Sequence, residues 1–141
     1  KEIMQMVESK VFISSTFFPN SLSYLAALKT IEIIERDNVL ARIWDKGRYL
    51  MQKAEALFKK HDVGAELSGI PPMHFITFRK NLSKSYKDKR NDFFTQLIRK
   101  KVFLQPYHHG YVCYRHTRDD LDLTIRAIEE SLLFLKENYS D

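Results

Sequence analysis

A long run of regularly spaced apolar residues is the feature that most constrains how this chain can fold. Between Val39 and Phe58 these residues recur at intervals of three and four, which is the period of an amphipathic helix. A basic triplet at residues 59–61 then supplies the positive charge favoured in a last helical turn, and Gly64 follows as a terminator. The spacing therefore predicts one long helix over Val39–His61. Its apolar positions are Leu40, Ile43, Trp44, Gly47, Leu50, Met51, Ala54, Leu57 and Phe58.

The preceding segment, residues 22–35, is apolar on nearly every side of a helical projection. A helix of that kind is buried or sandwiched between other elements, so we expect residues 22–35 to be covered by protein. Two small residues in its interior, Ala26 and Ala27, allow another helix to approach closely. The segment needs a partner surface, which we expect either from a further domain or from another subunit.

The middle of the chain alternates strand and helix signals. Glycine and proline at residues 69–72 mark a break, and Met73–Phe78 follows with the composition of a strand. A helix is predicted over residues 86–101 from its apolar face. Residues 102–106 and 111–115 are predicted as two further short strands.

The last part of the chain carries the signature of a capped helix. Thr117 is followed three residues later by Asp120, which is the spacing of a capping box with Asp in place of the usual Glu. Apolar residues then recur every three or four positions through Leu135. The order of the elements predicts an α+β fold, in which a small sheet is covered by helices.

Length and composition set the size of the molecule. A chain of 141 residues with 44% hydrophobic residues suffices for one core. No apolar run is long enough to cross a bilayer, and Cys113, the single cysteine, excludes an internal disulfide. These features favour a reducing, cytoplasmic setting. The opening residues resemble the middle of a helix without a cap, so we expect the chain to be a piece of a longer protein.

The charge balance permits an anionic partner without requiring one. The net charge is +5, from 23 basic and 18 acidic residues, and only residues 79–90 form a dense basic stretch. Such a stretch is usually a solvated loop, which leaves nucleic-acid binding as an alternative interpretation. Histidines at 108, 109 and 116 match no zinc signature in their spacing, so no metal site is predicted. His116, directly before the capped helix, is predicted to be a structural hydrogen-bonding residue.

A cluster of hydroxyl side chains precedes the helix at residues 22–35. Ser14, Ser15 and Thr16 stand between bulky apolar neighbours, just ahead of that helix. Hydroxyls and free N–H groups near a helix start favour an anion, whereas the alternative is an ordinary turn capped by Asn20 or Ser21. No glycine-flanked elbow, phosphate loop or dinucleotide fingerprint is present to indicate another chemistry. The residues alone indicate an α+β domain with a candidate anion site near Thr16.

Four short segments together suggest a family. They are KEIMQM at residues 1–6, STFFPN at 15–20, LSYLAALKTIE at 22–32, and residues 111–122 with the pair His-Thr followed by Asp-Asp-Leu-Asp. In their order and separation these segments resemble the C-terminal part of class III pyridoxal-phosphate-dependent aminotransferases. Within that class they are most similar to the glutamate-1-semialdehyde aminomutase branch. The resemblance covers almost the whole chain.

The resemblance implies a fold and a role. It implies the C-terminal part of a fold-type I pyridoxal-phosphate-dependent transferase, with residues 1–20 ending the large cofactor-binding domain. Residues 21–60 would be connecting helices, and residues 61–141 the small C-terminal α+β domain. In this family a loop threonine contacts the phosphate of pyridoxal 5′-phosphate in the partner subunit of a homodimer. That role transfers to Thr16, and Ser15 stands in place of the family's usual glycine.

The resemblance also implies what the chain does not contain. The lysine that anchors the cofactor lies upstream of Lys1 in this family, so no catalytic residue is assigned. His108 stands near the place of an acidic residue of the aminomutase branch, which favours a related aminotransferase acting on other small-molecule amino donors and acceptors. The family's carboxylate-binding arginine has no match, since Arg115 is out of register. The sequence predicts a portion of an aminotransferase that is inactive alone. A non-catalytic interaction domain with the same fold is the alternative hypothesis.

Overall fold

The computed structural model describes residues 2–12, 14, 16, 20–82 and 85–139. The chain divides into two compact units, Lys1–Asn38 and Val39–Asp141. The boundaries predicted at residues 20 and 60 concern domains of a longer protein and stay a prediction. Among the described residues the elements are, in order, α1 (Glu2–Ser9), α2 (Ser21–Arg36), α3 (Val39–His61), β1 (Ala65–Ile70), β2 (Met73–Phe78), α4 (Tyr86–Arg99), β3 (Gly110–Tyr111) and α5 (Arg118–Asn138).

The first unit consists of α1 and α2. Helix α2 begins after Asn20, whose side-chain oxygen accepts a hydrogen bond from the backbone N–H of Ser23 at 3.1 Å. None of its residues is buried, and Leu22 is 76% exposed. The prediction that this helix is buried is wrong for this chain by itself, because the residues of its own unit do not cover its apolar sides. None of the described helices is long and apolar enough to cross a membrane.

The second unit is built on a three-stranded antiparallel sheet in the order β1-β2-β3. Strands β1 and β2 form a hairpin in which Ile70 pairs with Met73, so Pro71 and Pro72 make its turn. The hairpin approaches α3 closely at Gly47, where an added Cβ would lie 2.2 Å from the Pro71 carbonyl oxygen. Any larger side chain at that position of α3 would displace the hairpin.

Helices α3, α4 and α5 enclose the core with one face of the sheet. Phe93, Leu97, Leu132 and Leu135 are fully buried there. The ring of Phe93 meets that of Phe78 on β2 edge-on, at 5.6 Å between centroids. The predicted α+β fold, with a small sheet covered by helices, is confirmed.

The segment between α4 and β3 differs from the prediction. Residues 102–106 form no strand, and of the strand predicted at 111–115 only Tyr111 belongs to a strand, together with Gly110 before it. Lys101 and Tyr107 adopt left-handed backbone conformations with φ of 68° and 62°. These turns at each end bend the segment away from an extended path, and Pro106 has no N–H to donate to a strand partner. The result is an irregular loop, residues 100–109.

Candidate functional site

The predicted phosphate contact lies in the first unit. Thr16 is exposed and lies in a turn ahead of α2, so its hydroxyl is accessible to an external anion. The cap of α2 is Asn20, as one of the two sequence alternatives had it, and this contact occupies the Ser23 N–H. Ser15 and Pro19 lie outside the described residues. The role of Thr16 and Ser15 in holding a cofactor therefore stays a prediction.

A cavity of about 530 Å³ lies in the second unit. Its walls come from the loop at residues 100–109, from β3 and from the first turns of α5, and Leu50 of α3 closes one side. The polar groups that line it include His74, His108, His109, His116 and Asp120. Such a combination of apolar wall and few polar groups is typical of small-molecule sites.

His74 forms the floor of this cavity. It is 6% exposed, and its Nδ1 has no hydrogen-bond partner among the described residues. Burial, and to a smaller degree the neighbouring His109, lower the pKa of His74, so its imidazole is neutral at physiological pH. The ring fits only because residue 110 is glycine, since an added Cβ there would lie 2.3 Å from the His74 Nε2.

Aromatic rings surround the mouth of the cavity. The ring of His109 lies 5.0 Å from that of Phe75, and the ring of His108 lies 6.1 Å from that of Tyr111. No group of three metal-ligating side chains occurs among the described residues. These rings form an aromatic wall beside the neutral His74.

The first turns of α5 form one side of the cavity. The Thr117 hydroxyl accepts from the Asp120 N–H at 3.2 Å, and the Asp120 carboxylate accepts from the Thr117 N–H at 2.7 Å. The predicted capping box is thus confirmed. His116 accepts a hydrogen bond at Nδ1 from the Cys113 N–H at 3.2 Å, in agreement with its predicted structural role.

A second depression, which we call the basic groove, adjoins the cavity. It is lined by Arg42, Asp45, Lys46 and residues 114–118. The Lys46 ammonium donates to the Tyr114 carbonyl at 2.6 Å, and the Arg42 guanidinium donates to the Tyr114 hydroxyl at 3.1 Å. Both cations also lie over the Tyr114 ring, at 5.8 Å for Arg42 and 5.4 Å for Lys46. Tyr114 therefore contacts two cationic side chains of α3.

Comparison with known proteins assigns the fold and family. No protein-family model matches the chain. It is 50% identical over 137 residues to the 3-aminobutyryl-CoA aminotransferase of Cloacimonas acidaminovorans, covering 97% of this chain and 33% of that protein. The predicted resemblance to pyridoxal-phosphate-dependent aminotransferases is confirmed. A glutamate-1-semialdehyde 2,1-aminomutase of Methanosphaera stadtmanae is 28% identical over 143 residues, or 94% of this chain and 34% of the relative.

Solved structures share the fold of this chain. The FumI protein of Sphingopyxis sp. MTA144 matches 95% of the chain and 32% of its own length, with a TM-score of 0.82 at 20% identity. An S-selective transaminase from Arthrobacter sp. matches 96% of the chain and 34% of its own length, with a TM-score of 0.78 at 16% identity. The chain spans about a third of the relatives that it matches.

Several residues of the cavity and the basic groove could not be found from the sequence alone. His74 counted only as a polar member of a strand, although a polar residue at an inward position of β2 was a signal for a buried polar site. Arg42 and Lys46 carry no such signal, because cations four residues apart on an amphipathic helix are usually solvated. Their grouping becomes visible only when Tyr114 is placed between them.

Proposed function

We propose that this chain is the C-terminal portion of a pyridoxal-phosphate-dependent aminotransferase that acts on an aminated acyl-coenzyme A thioester. The whole protein would transfer the amino group of the thioester to a keto or aldehyde acceptor. The proposal rests on one observation. The chain is 50% identical to a 3-aminobutyryl-CoA aminotransferase but 28% identical to an aminomutase, over similar shares of its length. Because the chain spans a third of these relatives, the activity belongs to the full-length protein.

Thr16 is the residue of this chain that we assign to the cofactor phosphate. Its exposed hydroxyl suits a phosphate oxygen, and Ser15 beside it is the second residue that we assign to this contact. Bound pyridoxal 5′-phosphate would supply an electron sink for the carbon that loses its proton. The lysine that anchors the cofactor lies in the remainder of the protein in our proposal, so the chain alone is inactive.

The small domain would form one wall of the substrate site. The cavity above His74 offers a neutral imidazole and an aromatic surface. These groups accommodate the uncharged acyl chain of a thioester better than the carboxylate of a semialdehyde substrate. His108 provides an imidazole where the aminomutase branch has an acid. These features support amino transfer rather than isomerisation of an aminated semialdehyde.

We further propose that the protein is a cytoplasmic homodimer. The single cysteine, Cys113, is unpaired and exposed, as suits a reducing compartment. The uncovered apolar sides of α2 supply a surface for a further domain or a second subunit. A Thr16 that reaches the partner subunit's cofactor would require the dimer.

Incubation of the full-length protein with 3-aminobutyryl-CoA and a 2-oxo acid tests the proposed reaction. We expect the corresponding 3-oxo thioester and the amino acid to form in equal amounts, with dependence on added pyridoxal 5′-phosphate. No amino transfer from the thioester, together with isomerisation of glutamate-1-semialdehyde, would assign the protein to the aminomutases instead. A protein that retains no cofactor would support the alternative of a non-catalytic interaction domain.

A further inference from the structure

The basic groove carries positive charge that the chain itself neutralises only in part. Arg42 and Lys46 contact a hydroxyl, a carbonyl and a ring of Tyr114, all of which are uncharged. Arg115 lines the same groove, is exposed, and has no ion-pair or hydrogen-bond partner for its side chain among the described residues. Three cations thus converge on one depression without carboxylate partners for their hydrogen bonds.

The nearby acids are engaged elsewhere. Asp45, the one carboxylate among the described residues that line the groove, binds Arg48 on its own helix. Arg118, the fourth cation, lies 3.3 Å above the Tyr49 ring and pairs with Asp122 at 3.4 Å. The Asp120 carboxylate interacts electrostatically with Lys46, so the charge left over comes chiefly from Arg42 and Arg115. It suits a ligand that carries several negative charges.

We propose that the basic groove binds the 3′-phospho-adenosine diphosphate end of a coenzyme A thioester substrate. The inference rests on the proposed function, since it assigns the phosphates of that substrate to a place on the chain. Arginine forms bidentate hydrogen bonds with phosphate oxygens, and lysine contributes a point charge. The groove has a volume of about 630 Å³, which lies in the range of ligand sites.

The position of the groove fits a long substrate. His116 lines both the basic groove and the cavity above His74, so the two depressions are neighbours. A thioester held by its phosphates in the groove can extend its acyl end toward the cavity. The nucleotide contacts then add binding energy remote from the reacting carbon, which a truncated thioester cannot use.

The cations of the groove favour a compact anion over a nucleic acid. They meet around one tyrosine and form no continuous stripe, whereas nucleic-acid surfaces extend along a groove or strand. Part of the dense basic stretch that suggested nucleic acid lines a different depression beside Gly64, through Arg79, Lys80 and Lys89. The test of the groove therefore includes an oligonucleotide as a competitor of coenzyme A.

Calorimetric titration of the full-length protein with coenzyme A, and separately with pantetheine, tests the inference. Arg42→Ala and Arg115→Ala should each weaken coenzyme A binding about tenfold, since each removes a charge-assisted contact. Both variants should leave pantetheine binding unchanged. The matched control is Lys53→Ala, which removes an exposed cation from the same helix outside the groove and should leave both affinities unchanged. High salt should reduce coenzyme A affinity in the wild type more than in the variants.

The outcomes separate this inference from the proposed function. Unchanged coenzyme A affinity in both groove variants, or an equal loss for pantetheine, would overturn the groove assignment, and so would displacement of coenzyme A by an oligonucleotide. The proposed function would still stand in that case if amino transfer from the thioester were observed. If coenzyme A binds through the groove but no amino transfer occurs, the groove assignment stands and the proposed reaction fails.

Discussion

At the scale of the residue, the contact between His74 and Gly110 sets the floor of the cavity. The His74 ring occupies the volume that any side chain at position 110 would need. Its Nδ1 is buried and has no hydrogen-bond partner among the described residues. Gly110 therefore affects both the stability of β3 and the shape of the candidate substrate site.

Gly110→Ala should destabilise the full-length protein by about 1–3 kcal/mol, because the new methyl group overlaps the His74 ring. Urea unfolding measures the change in the free energy of unfolding. Gly64→Ala is the matched control, since a Cβ there meets no atom within 4 Å and adds only the strain of a positive φ. If Gly110→Ala costs as much in a His74→Ala background as in the wild type, the steric account is wrong.

Thr16 carries the residue-scale prediction for the cofactor. Thr16→Ala in the full-length protein should weaken pyridoxal 5′-phosphate retention by about 1–2 kcal/mol, the value of one hydrogen bond to a charged group. Equilibrium dialysis of the holoenzyme measures this loss. Thr16→Ser keeps the hydroxyl and should retain the cofactor as the wild type does. Equal retention by the alanine and serine variants would remove Thr16 from the phosphate site.

At the scale of the element, helix ends and periodic faces explain what the sequence could predict. The predicted helix over Val39–His61 and the strand Met73–Phe78 agree with the structure. The period of the helix matches its buried face at Gly47, Leu50, Ala54 and Phe58. Strand β1 was missed because Gly69 and Pro71 read as loop signals, although the prolines form only the hairpin turn. The strand predicted at residues 102–106 fails because left-handed turns flank it, and such turns in non-glycine residues leave no signal in the sequence.

The capping box of α5 makes the stability of the protein depend on acidic pH. Hydrogen bonds from Thr117 lower the pKa of Asp120 below its ordinary value of 3.8. A lowered pKa in the folded state stabilises the protein above the ordinary value, and this stabilisation disappears as the pH falls through the lowered pKa. Asp120→Asn should therefore lower the thermal midpoint at neutral pH but not at strongly acidic pH. A difference that persists at the acidic limit would contradict this origin.

A phenol links α4 to the end of α5. Tyr139 donates to the Asp92 carboxylate at 2.7 Å, and burial together with this bond raises the pKa of Tyr139 to about 12. The folded state then favours the protonated phenol, so stability is full below the ordinary value of 10.0 and declines as the pH rises toward about 12.

Tyr139→Phe should cost about 1 kcal/mol at neutral pH, through loss of this hydrogen bond. It should also remove the part of the alkaline loss of stability that comes from Tyr139. Unfolding by urea at several alkaline pH values measures both effects. An unchanged alkaline profile in the variant would mean that Tyr139 does not ionise with unfolding in the way described.

At the scale of the whole molecule, the site was only partly visible in the sequence. The hydroxyl loop with Thr16 could be predicted as an anion site because it is local, and the family resemblance implied a role for it that stays a prediction. The basic groove was not found, because it joins Arg42 and Lys46 to Tyr114 and Arg115 across more than half of the chain. Residues that are distant in sequence meet only through tertiary packing, which no spacing rule describes.

The chain spans about a third of its relatives, so its chemistry is that of a larger protein. Within that protein the chain would supply three parts: a phosphate contact at Thr16, a wall of the substrate cavity above His74, and a groove for the nucleotide end of a thioester. In our proposal the cavity accommodates the acyl end and the groove the anionic nucleotide end of a thioester-linked amine. The small semialdehyde of the aminomutases has no part that would use the groove.

The ratio of kcat/KM for 3-aminobutyryl-CoA to kcat/KM for glutamate-1-semialdehyde, measured on the full-length protein with its cofactor, tests this account most directly. We expect the thioester to be favoured by at least about a hundredfold, because its nucleotide contacts and its acyl fit both contribute to transition-state binding. A ratio near or below one would contradict the account and return the protein to the aminomutase branch.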